Sequence, residues 1–285
     1  MILIADSGST KTDWKMIDPD NGISDFCTKG LNPFYMTSPE IEEEIRLRIE
    51  GKYTSQKVKK VYFYGAGCSI EDKNLVVAKA LKNIFCNAFV KIHSDIIGAA
   101  HALFQNNAGL VVILGTGTST GYYDGRKIIQ SVIPLGYILG DEGSGTVLGI
   151  KLIQAYLKEE LPIKIRQQFY KKYKLKTEDI KDAVYSKPLP NRFLASFTPF
   201  LGEYLDEPSI YQIVYKSMDE LFEKQISKFK NWRKTNIRCV GSIAYFFSSV
   251  LTQVALDRGA NIDKIIRSPI DDLVQFHLKI GTGSL

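Results

Sequence analysis

Apolar residues in this chain come in short runs that end on small or polar residues. Met1-Ile-Leu-Ile-Ala5 runs into Asp6-Ser-Gly-Ser-Thr-Lys-Thr12, and Trp14-Lys-Met-Ile17 then alternates with period two before the turn Asp18-Pro-Asp-Asn-Gly22. This predicts a β-hairpin whose first turn has the composition of a binding loop. Ser38 as N-cap and Pro39 at the first helical position start a helix that the acidic-then-basic segment carries to Glu50. A strand is expected over Val58–Tyr64, entering Gly65-Ala-Gly67, followed by a helix over 73–86 and a strand over Phe89–His93. An alanine-rich helix over Asp95–Phe104 follows, opened by Ser94-Asp95.

The second half restarts the plan. Leu110-Val-Val-Ile-Leu114 feeds Gly115-Thr-Gly-Thr-Ser-Thr120, and Gly121-Tyr-Tyr123 resumes before Asp124-Gly125. After Gly145 the pattern is helical to about Lys234, and one further strand, Ile237–Val240, runs into Gly241-Ser-Ile-Ala244. Strands alternating with helices predict an α/β layer architecture with mostly parallel sheets. The recurrence of strand, small-residue turn and strand half a chain apart predicts two related domains facing each other across a cleft.

Composition narrows the class. The 285 residues are 45% hydrophobic and 24% charged, a globular balance with room for two modest domains. Apolar runs such as Leu110–Leu114 stop far short of the roughly 20 residues of a membrane-spanning helix. The first residues carry no basic leader or long apolar region, so a cytoplasmic protein without membrane association is expected. Cys27, Cys68, Cys86 and Cys239 form no CxxC pair, which argues against a disulfide scaffold and a structural zinc site. His93, His101 and His277 read as too dispersed for a metal site. The net charge of +6 concentrates between Lys151 and Pro190, where ten Lys/Arg face five Asp/Glu. No nucleic-acid motif accompanies it, so it reads as a solvated basic surface and nucleic acid is not an expected partner.

The chemistry lies in the turns. Gly, Ser and Thr between strands let backbone N–H groups and hydroxyls converge on an anion, and two such turns could grip a polyphosphate. No GxxxxGK[ST] loop is present, and Gly65-Ala-Gly67-Cys-Ser-Ile70 lacks the third glycine of a dinucleotide fingerprint.

Taken in order, Asp6-Ser-Gly-Ser-Thr-Lys-Thr12, Gly65-Ala-Gly67, Gly115-Thr-Gly117-Thr118, Gly140-Asp-Glu-Gly-Ser144 and Gly241-Ser-Ile-Ala244 form a set. It resembles the phosphate-1, connect, phosphate-2, substrate-loop and adenosine motifs of the actin/hexokinase/Hsp70 superfamily. The resemblance is greatest to the BadF/BadG-type ATPase branch that contains N-acetylglucosamine kinases, and it extends from the first residues to about Gly281. It implies two ribonuclease H-like domains: 1–107 with a returning C-terminal helix at 272–285, and 108–271. It also implies an ATP-dependent sugar kinase acting on an amino sugar, with N-acetylglucosamine at the 6-hydroxyl leading. N-acetylmuramic acid, glucosamine and glucose follow as acceptors.

Roles follow from the same resemblance. Asp6 would hold Mg²⁺ through water, since a hard cation takes oxygen ligands and keeps several waters. Gly8, Thr10, Lys11 and Thr12, with Gly115, Thr116, Gly117 and Thr118, would contact the phosphates of ATP, and Gly241 and Ser242 its adenosine end. Asp95 would be the general base and a sugar ligand, while Asn32 and Asp141 would bind sugar hydroxyls. From the residues alone Asp6 has a turn aspartate as its lesser alternative, Lys11 reads equally as a solvated lysine, and Asp95 reads first as a helix cap. Known relatives carry a tryptophan a few residues before Gly-Asp-Glu-Gly, where this chain has Leu135-Gly136, so aromatic packing on the sugar is not part of the expectation.

Two other readings stand beside the kinase. An activator ATPase of the BadF/BadG type would need a cysteine-ligated iron–sulfur cluster, and its Cys-Gly-Gly signature is missing. A non-catalytic sugar or nucleotide sensor would keep the fold without needing Asp6, Asp95 and Asp141 together. Expected partners are a small-molecule sugar and Mg·ATP, with a homodimer allowed by the resemblance and the oligomeric state left open.

Overall fold

The computed structural model describes residues 1–49 and 55–281. Glu50, the expected end of the first helix, and positions 282–285 of the closing helix lie outside the described residues. The chain divides into two compact units, one of Met1–Asn107, Gly125–Lys127 and Ser268–Leu285 and one of Ala108–Asp124 and Ile128–Arg267.

In the first unit, β1 (Ile2–Ser7), β2 (Lys11–Asp18) and β3 (Gly22–Lys29) precede α1 (Ser38–Ile49), and β4 (Lys60–Gly65), α2 (Glu71–Ile84), β5 (Phe89–Ser94) and α3 (Asp95–Phe104) follow. The sheet order is β3-β2-β1-β4-β5. The first two pairings are antiparallel, and β1 with β4 and β4 with β5 are parallel. The sheet is therefore mixed rather than mostly parallel, because short turns at residues 8–10 and 19–21 can only join antiparallel neighbours. Leu3 and Ala5 join a core with Ile41 and Ile45 of α1 and Val77 and Leu81 of α2. Ile4, fully buried between them, points by strand alternation to the other face.

The second unit repeats this plan. β6 (Gly109–Leu114), β7 (Thr118–Tyr123) and β8 (Ile128–Ser131) form the antiparallel half of a sheet. A helical stretch then runs through α4 (Gly136–Leu139), α5 (Gly145–Leu157), α6 (Ile163–Tyr173), α7 (Thr177–Tyr185), α8 (Pro190–Ala195), α9 (Thr198–Glu203) and α10 (Pro208–Lys224). β9 (Ile237–Val240), α11 (Ser242–Phe246), α12 (Ser248–Asp257) and β10 (Ile262–Ile266) complete the unit, and the order β10-β9-β6-β7-β8 mirrors the first sheet strand for strand. Leu110, Val112 and Leu114 face a core shared with Leu148 and Leu152 of α5 and Met218 and Leu221 of α10. The last helix, α13 (Ile270–Gly281), follows β10 in sequence yet packs against α3, β1 and β2 of the first unit. No helix among the described residues is long and apolar enough to cross a membrane.

Candidate active site

The first turn closes where Ser7 pairs with Thr12, and the Gly8 N–H donates to the Lys11 carbonyl at 3.0 Å. A Cβ on Gly8 would meet nothing nearer than that carbonyl at 3.7 Å, so packing does not demand this glycine. It demands Gly30 instead, whose N–H donates to the Thr10 carbonyl at 3.0 Å and whose Cβ would lie 2.4 Å from the Gly8 carbonyl oxygen. Gly30 braces the turn from behind and was not singled out by the sequence pattern; its only signal is a glycine directly after a strand. The hydroxyls of Ser7 and Thr12 lie 2.8 Å apart, Thr12 donates to the Lys29 carbonyl at 3.0 Å, and the Leu31 N–H donates to Ser7 Oγ at 3.1 Å. Thr12 is fully buried, and its hydroxyl is engaged in bracing the turn. Gly8, Thr10 and Lys11 are exposed.

Carboxylates gather beside this turn. β1, β4 and β5 end in register, with Ser7, Gly65 and Ser94 opposite one another, so Asp6 and Asp95 sit at the carboxyl ends of strands one apart, about 10 Å of sheet. The Asp6 pKa is pushed up to about 7, first by burial and then by the negative charges of Asp95 and Asp13, against a smaller opposing effect of Lys11. Burial also raises the Asp95 pKa, opposed by hydrogen bonds from the Ile96 N–H, at 2.8 Å, and from its own N–H. Asp95 is the first residue of α3, and the cap position belongs to Ser94, whose side chain makes no cap bond. Lys11 is paired with Asp13 at 2.7 Å. Burial, then Asp95, pushes the Cys68 thiol up to about 12, so it stays protonated.

Asn32 lies on the other side of the connect turn. Its Oδ1 accepts the Phe34 N–H at 2.9 Å and sits 2.6 Å from where a Cβ on Gly67 would stand. Gly67 also has φ +83°, so both conformation and space require glycine there.

In the second unit the corresponding turn is shorter. Leu114 pairs with Thr118, and the Gly115 N–H donates to the Gly117 carbonyl at 3.0 Å. A Cβ on Gly115 would meet open space. Behind it the N-terminus of α5 donates directly into the turn, Gly145 N–H to the Gly115 carbonyl at 2.8 Å and Thr146 N–H to the Thr116 carbonyl at 3.2 Å. Ser144 caps α5 by accepting the Val147 N–H at 3.2 Å. These amides are spent on the turn and its cap, so α5 contributes to an anion only through the positive end of its dipole. Asp141 accepts the Thr118 N–H at 3.3 Å, and the Thr118 hydroxyl donates to the Glu142 carbonyl at 2.9 Å. Burial raises the Asp141 pKa, opposed by the Thr118 amide and aided by Glu142. Gly241, at φ +122°, has no room for a Cβ, which would lie 2.2 Å from the Leu114 carbonyl oxygen; Ser242 opens α11 beside it.

The first unit thus brings together Asp6, Gly8, Thr10, Lys11 and Asp95, with Asn32 on the adjoining connect turn. The second brings together Gly115, Thr116, Gly117, Thr118, Asp141, Gly241 and Ser242. Among the described residues no three His, Cys, Asp or Glu side chains gather as a metal site. The three histidines, far apart in the chain, nevertheless meet around one tyrosine. His101 Nδ1 and His277 Nε2 lie 3.0 and 2.9 Å from the Tyr64 hydroxyl, and the His93 ring stacks on Tyr64 with centroids 5.2 Å apart. Topology gathers what sequence spacing had scattered.

No family model matches the chain, and no curated protein matches it. Among solved structures, a candidate N-acetylglucosamine kinase of Porphyromonas gingivalis is 39% identical, with a TM-score of 0.91 over 97% of this chain and 98% of that one. MreB 5 of Spiroplasma citri bound to AMPPNP matches at TM-score 0.58 and 10% identity, over 99% of this chain and 97% of that one. A ROK family glucokinase of Streptomyces griseus in complex with glucose and AMPPNP matches at TM-score 0.53 and 13% identity, over 96% of this chain and 97% of that one. These last two share the fold alone. The first covers nearly the whole of both chains at an identity that fixes kinship, and the chain belongs to the N-acetylglucosamine kinase-like family of ATP-dependent carbohydrate kinases with the two-domain actin/hexokinase fold.

Proposed function

We propose that the protein transfers the γ-phosphoryl group of ATP to a hydroxyl of an amino sugar, with N-acetylglucosamine at its 6-hydroxyl the leading acceptor. The observation that carries the reading is the placement of Asp6 and Asp95 at the carboxyl ends of β1 and β5, beside an open glycine turn. Phosphoryl transfer needs little covalent help. It needs phosphates held in place, charge neutralised and a carboxylate on the attacking hydroxyl.

The residues divide that work. Gly8, Thr10 and Lys11 in the first unit and Gly115, Thr116 and Gly117 in the second present amides, hydroxyls and one ammonium to phosphate oxygens, while Thr118, buried and bonded to Asp141 and Glu142, holds the second turn in shape. Asp95 is held by the Ile96 N–H through one oxygen and takes the hydroxyl proton, a role its raised pKa favours by bringing its basicity nearer to neutral pH. Asn32 and Asp141 orient the sugar, and Gly241 and Ser242 face the adenosine end. Mg²⁺ fits Asp6: a hard-oxygen donor whose pKa is lifted first by burial and then by the charges of Asp95 and Asp13 is relieved by a cation, and Mg²⁺ needs only one or two carboxylates. When bound, the ion would neutralise charge on the β- and γ-phosphates.

The choice of acceptor rests on the 39% identity to the Porphyromonas gingivalis protein. ATP turnover measured with N-acetylglucosamine, N-acetylmuramic acid, glucosamine and glucose tests it. Sugar-dependent turnover highest with N-acetylglucosamine, and a 6-phosphate product, is the expected result. Turnover with none of the four overturns the kinase reading; a preference for glucose corrects only the acceptor.

A further inference from the structure

We infer that Gln225 is a positioning residue for the acceptor sugar, acting through Glu142; the inference rests on the acceptor role proposed above for Asp141. Gln225 stands at the C-terminal end of α10 and is only 6% exposed. Both ends of its amide are engaged with segments distant in sequence. Its Nε2 donates to Glu142 Oε2 at 2.8 Å, and its Oε1 accepts from the Thr120 hydroxyl at 3.2 Å. Thr120 follows Thr118 by two residues on β7, on the same buried face. The 140–144 loop is therefore tied to β7 twice, directly at Thr118 and through Gln225 at Thr120.

The second tie matters because Asp141 has φ +58°. A non-glycine residue holds that conformation only where its surroundings over-determine it. An amide is the group this place requires, since it accepts from a hydroxyl with one end and donates to a carboxylate with the other. Glutamate would set a second carboxylate against Glu142, and leucine would fill the volume while leaving Glu142 without this charge-assisted bond. Gln225, Thr118, Thr120, Asp141 and Glu142 all line one small cavity of about 70 Å³, so a displaced Glu142 changes the walls that flank Asp141.

The test uses the full chain with Gln225→Leu, Thr120→Val and Glu142→Gln, by steady-state kinetics over the same four sugars and by thermal melting. Gln225→Leu is expected to raise the acceptor KM by roughly 5- to 100-fold, the range spanned by a buried hydrogen bond. The ATP KM and kcat should stay within about twofold, as loss of uniform binding requires. Glu142→Gln should add little on top of Gln225→Leu, because the two act as one unit. Thr120→Val, which removes the anchoring hydroxyl at constant shape, should shift the acceptor KM in the same direction, and it is read by the same criteria if Gln225→Leu does not fold. A lowered melting temperature with unchanged acceptor KM, equal rises in both KM values, or additive effects of Gln225→Leu and Glu142→Gln overturn the inference and leave the kinase reading standing. Wild-type protein that turns over no sugar overturns both.

Discussion

The two halves of the molecule build a similar turn on two sheets of matching strand order and brace it in different ways. In the first unit the turn before β2 leans on another loop: Gly30 presses on Gly8 and Thr10, and Ser7 and Thr12 lock Lys29 and Leu31 behind it. In the second unit the turn before β7 leans on the start of α5, whose amides enter it through Gly145 and Thr146. The carboxylates differ too. Asp6, Asp13 and Asp95 crowd the first turn, while the second has a helix N-terminus and Asp141 on its flank. The repeated frame thus carries different chemistry at its two turns, carboxylates around the first and a helix start behind the second.

The largest expected effect comes from removing the base from the acidic half. Asp95→Asn keeps the size and the acceptor for the Ile96 N–H, so the fold should survive. The loss of a general base should lower sugar-dependent ATP turnover by ~10²–10⁴-fold, with both ligands still bound. Single-turnover phosphoryl transfer equal to wild type would make Asp95 a helix-stabilising residue and leave the acidic half without a base.

Acid should separate the halves next. All three histidines belong to the first unit. Burial holds His93 and His277 down to about 4 and His101 down to about 3, with the Lys91 ammonium lowering all three. Tyr64 and Tyr62 of β4, and Phe276 of α13, pack around the rings, Lys60 of β4 also lowers His277, His93 lowers both His101 and His277, and His277 lowers His101. A folded pKa below the unfolded value means the unfolded chain binds more protons between the two. The stabilisation is therefore complete above about 6.5 and is lost as pH falls towards 4. At pH 5 this amounts to about 2 kcal/mol for each ring that stays neutral. Between pH 7 and 5, with the intrinsic pH dependence of amide exchange divided out, protection should fall in α3 and α13 while β6 and β7 keep theirs. Uniform exchange across both units would deny the cluster this role.

How much of this was legible depends on what each residue contributes to a local pattern. β1, β4 and β6 carry apolar runs into small-residue turns and read directly, and β5, though at an edge, was marked by the alternation of Phe89–His93 ahead of Ser94-Asp95. β3, β8 and β10 went unread, and all three are edge strands whose residues are mostly exposed or half-buried, so solvent dilutes the alternation. The helical stretch after Gly145 reads as one region because Pro162, Pro190 and Pro208 break it at points that periodicity alone does not weigh. Around the site, Asp95 was legible as the residue where a strand hands over to a helix. Gly30, the inward turn of Thr12 and the histidine cluster were not, since each depends on contacts between residues far apart in the chain.

The bracing itself is tested by glycines on the hidden side of each turn. Gly30→Ala places a Cβ against backbone atoms at 2.4 to 2.7 Å, which cannot move without moving the turn. It should cost about 1–3 kcal/mol of stability. Gly145→Ala meets Ile243, the Gly115 carbonyl and Ala195 at 3.2 to 3.4 Å, contacts that a few tenths of an ångström relieve. Its cost in urea titration should be the smaller of the two, and the reverse order would mean that α5, not the Lys29–Leu31 loop, is the stiffer brace.

The smallest effect on stability, and the sharpest on function, is expected at the open glycines. Gly8→Ala places its Cβ no closer than 3.7 Å to the Lys11 carbonyl, and Gly115→Ala meets nothing within 4 Å. Neither position carries a positive φ. Alanine there removes unfolded-chain freedom without native strain, so stability should hold or rise by about 0.4–1 kcal/mol. A methyl group on the open side of each turn would nevertheless keep a phosphate oxygen from reaching the amides. The ATP KM should rise in both variants while melting temperature does not fall. A rise in only one would assign nucleotide grip to that half. No rise in either would mean that the glycines serve chain reversal alone and that the duplicated turns hold no phosphate.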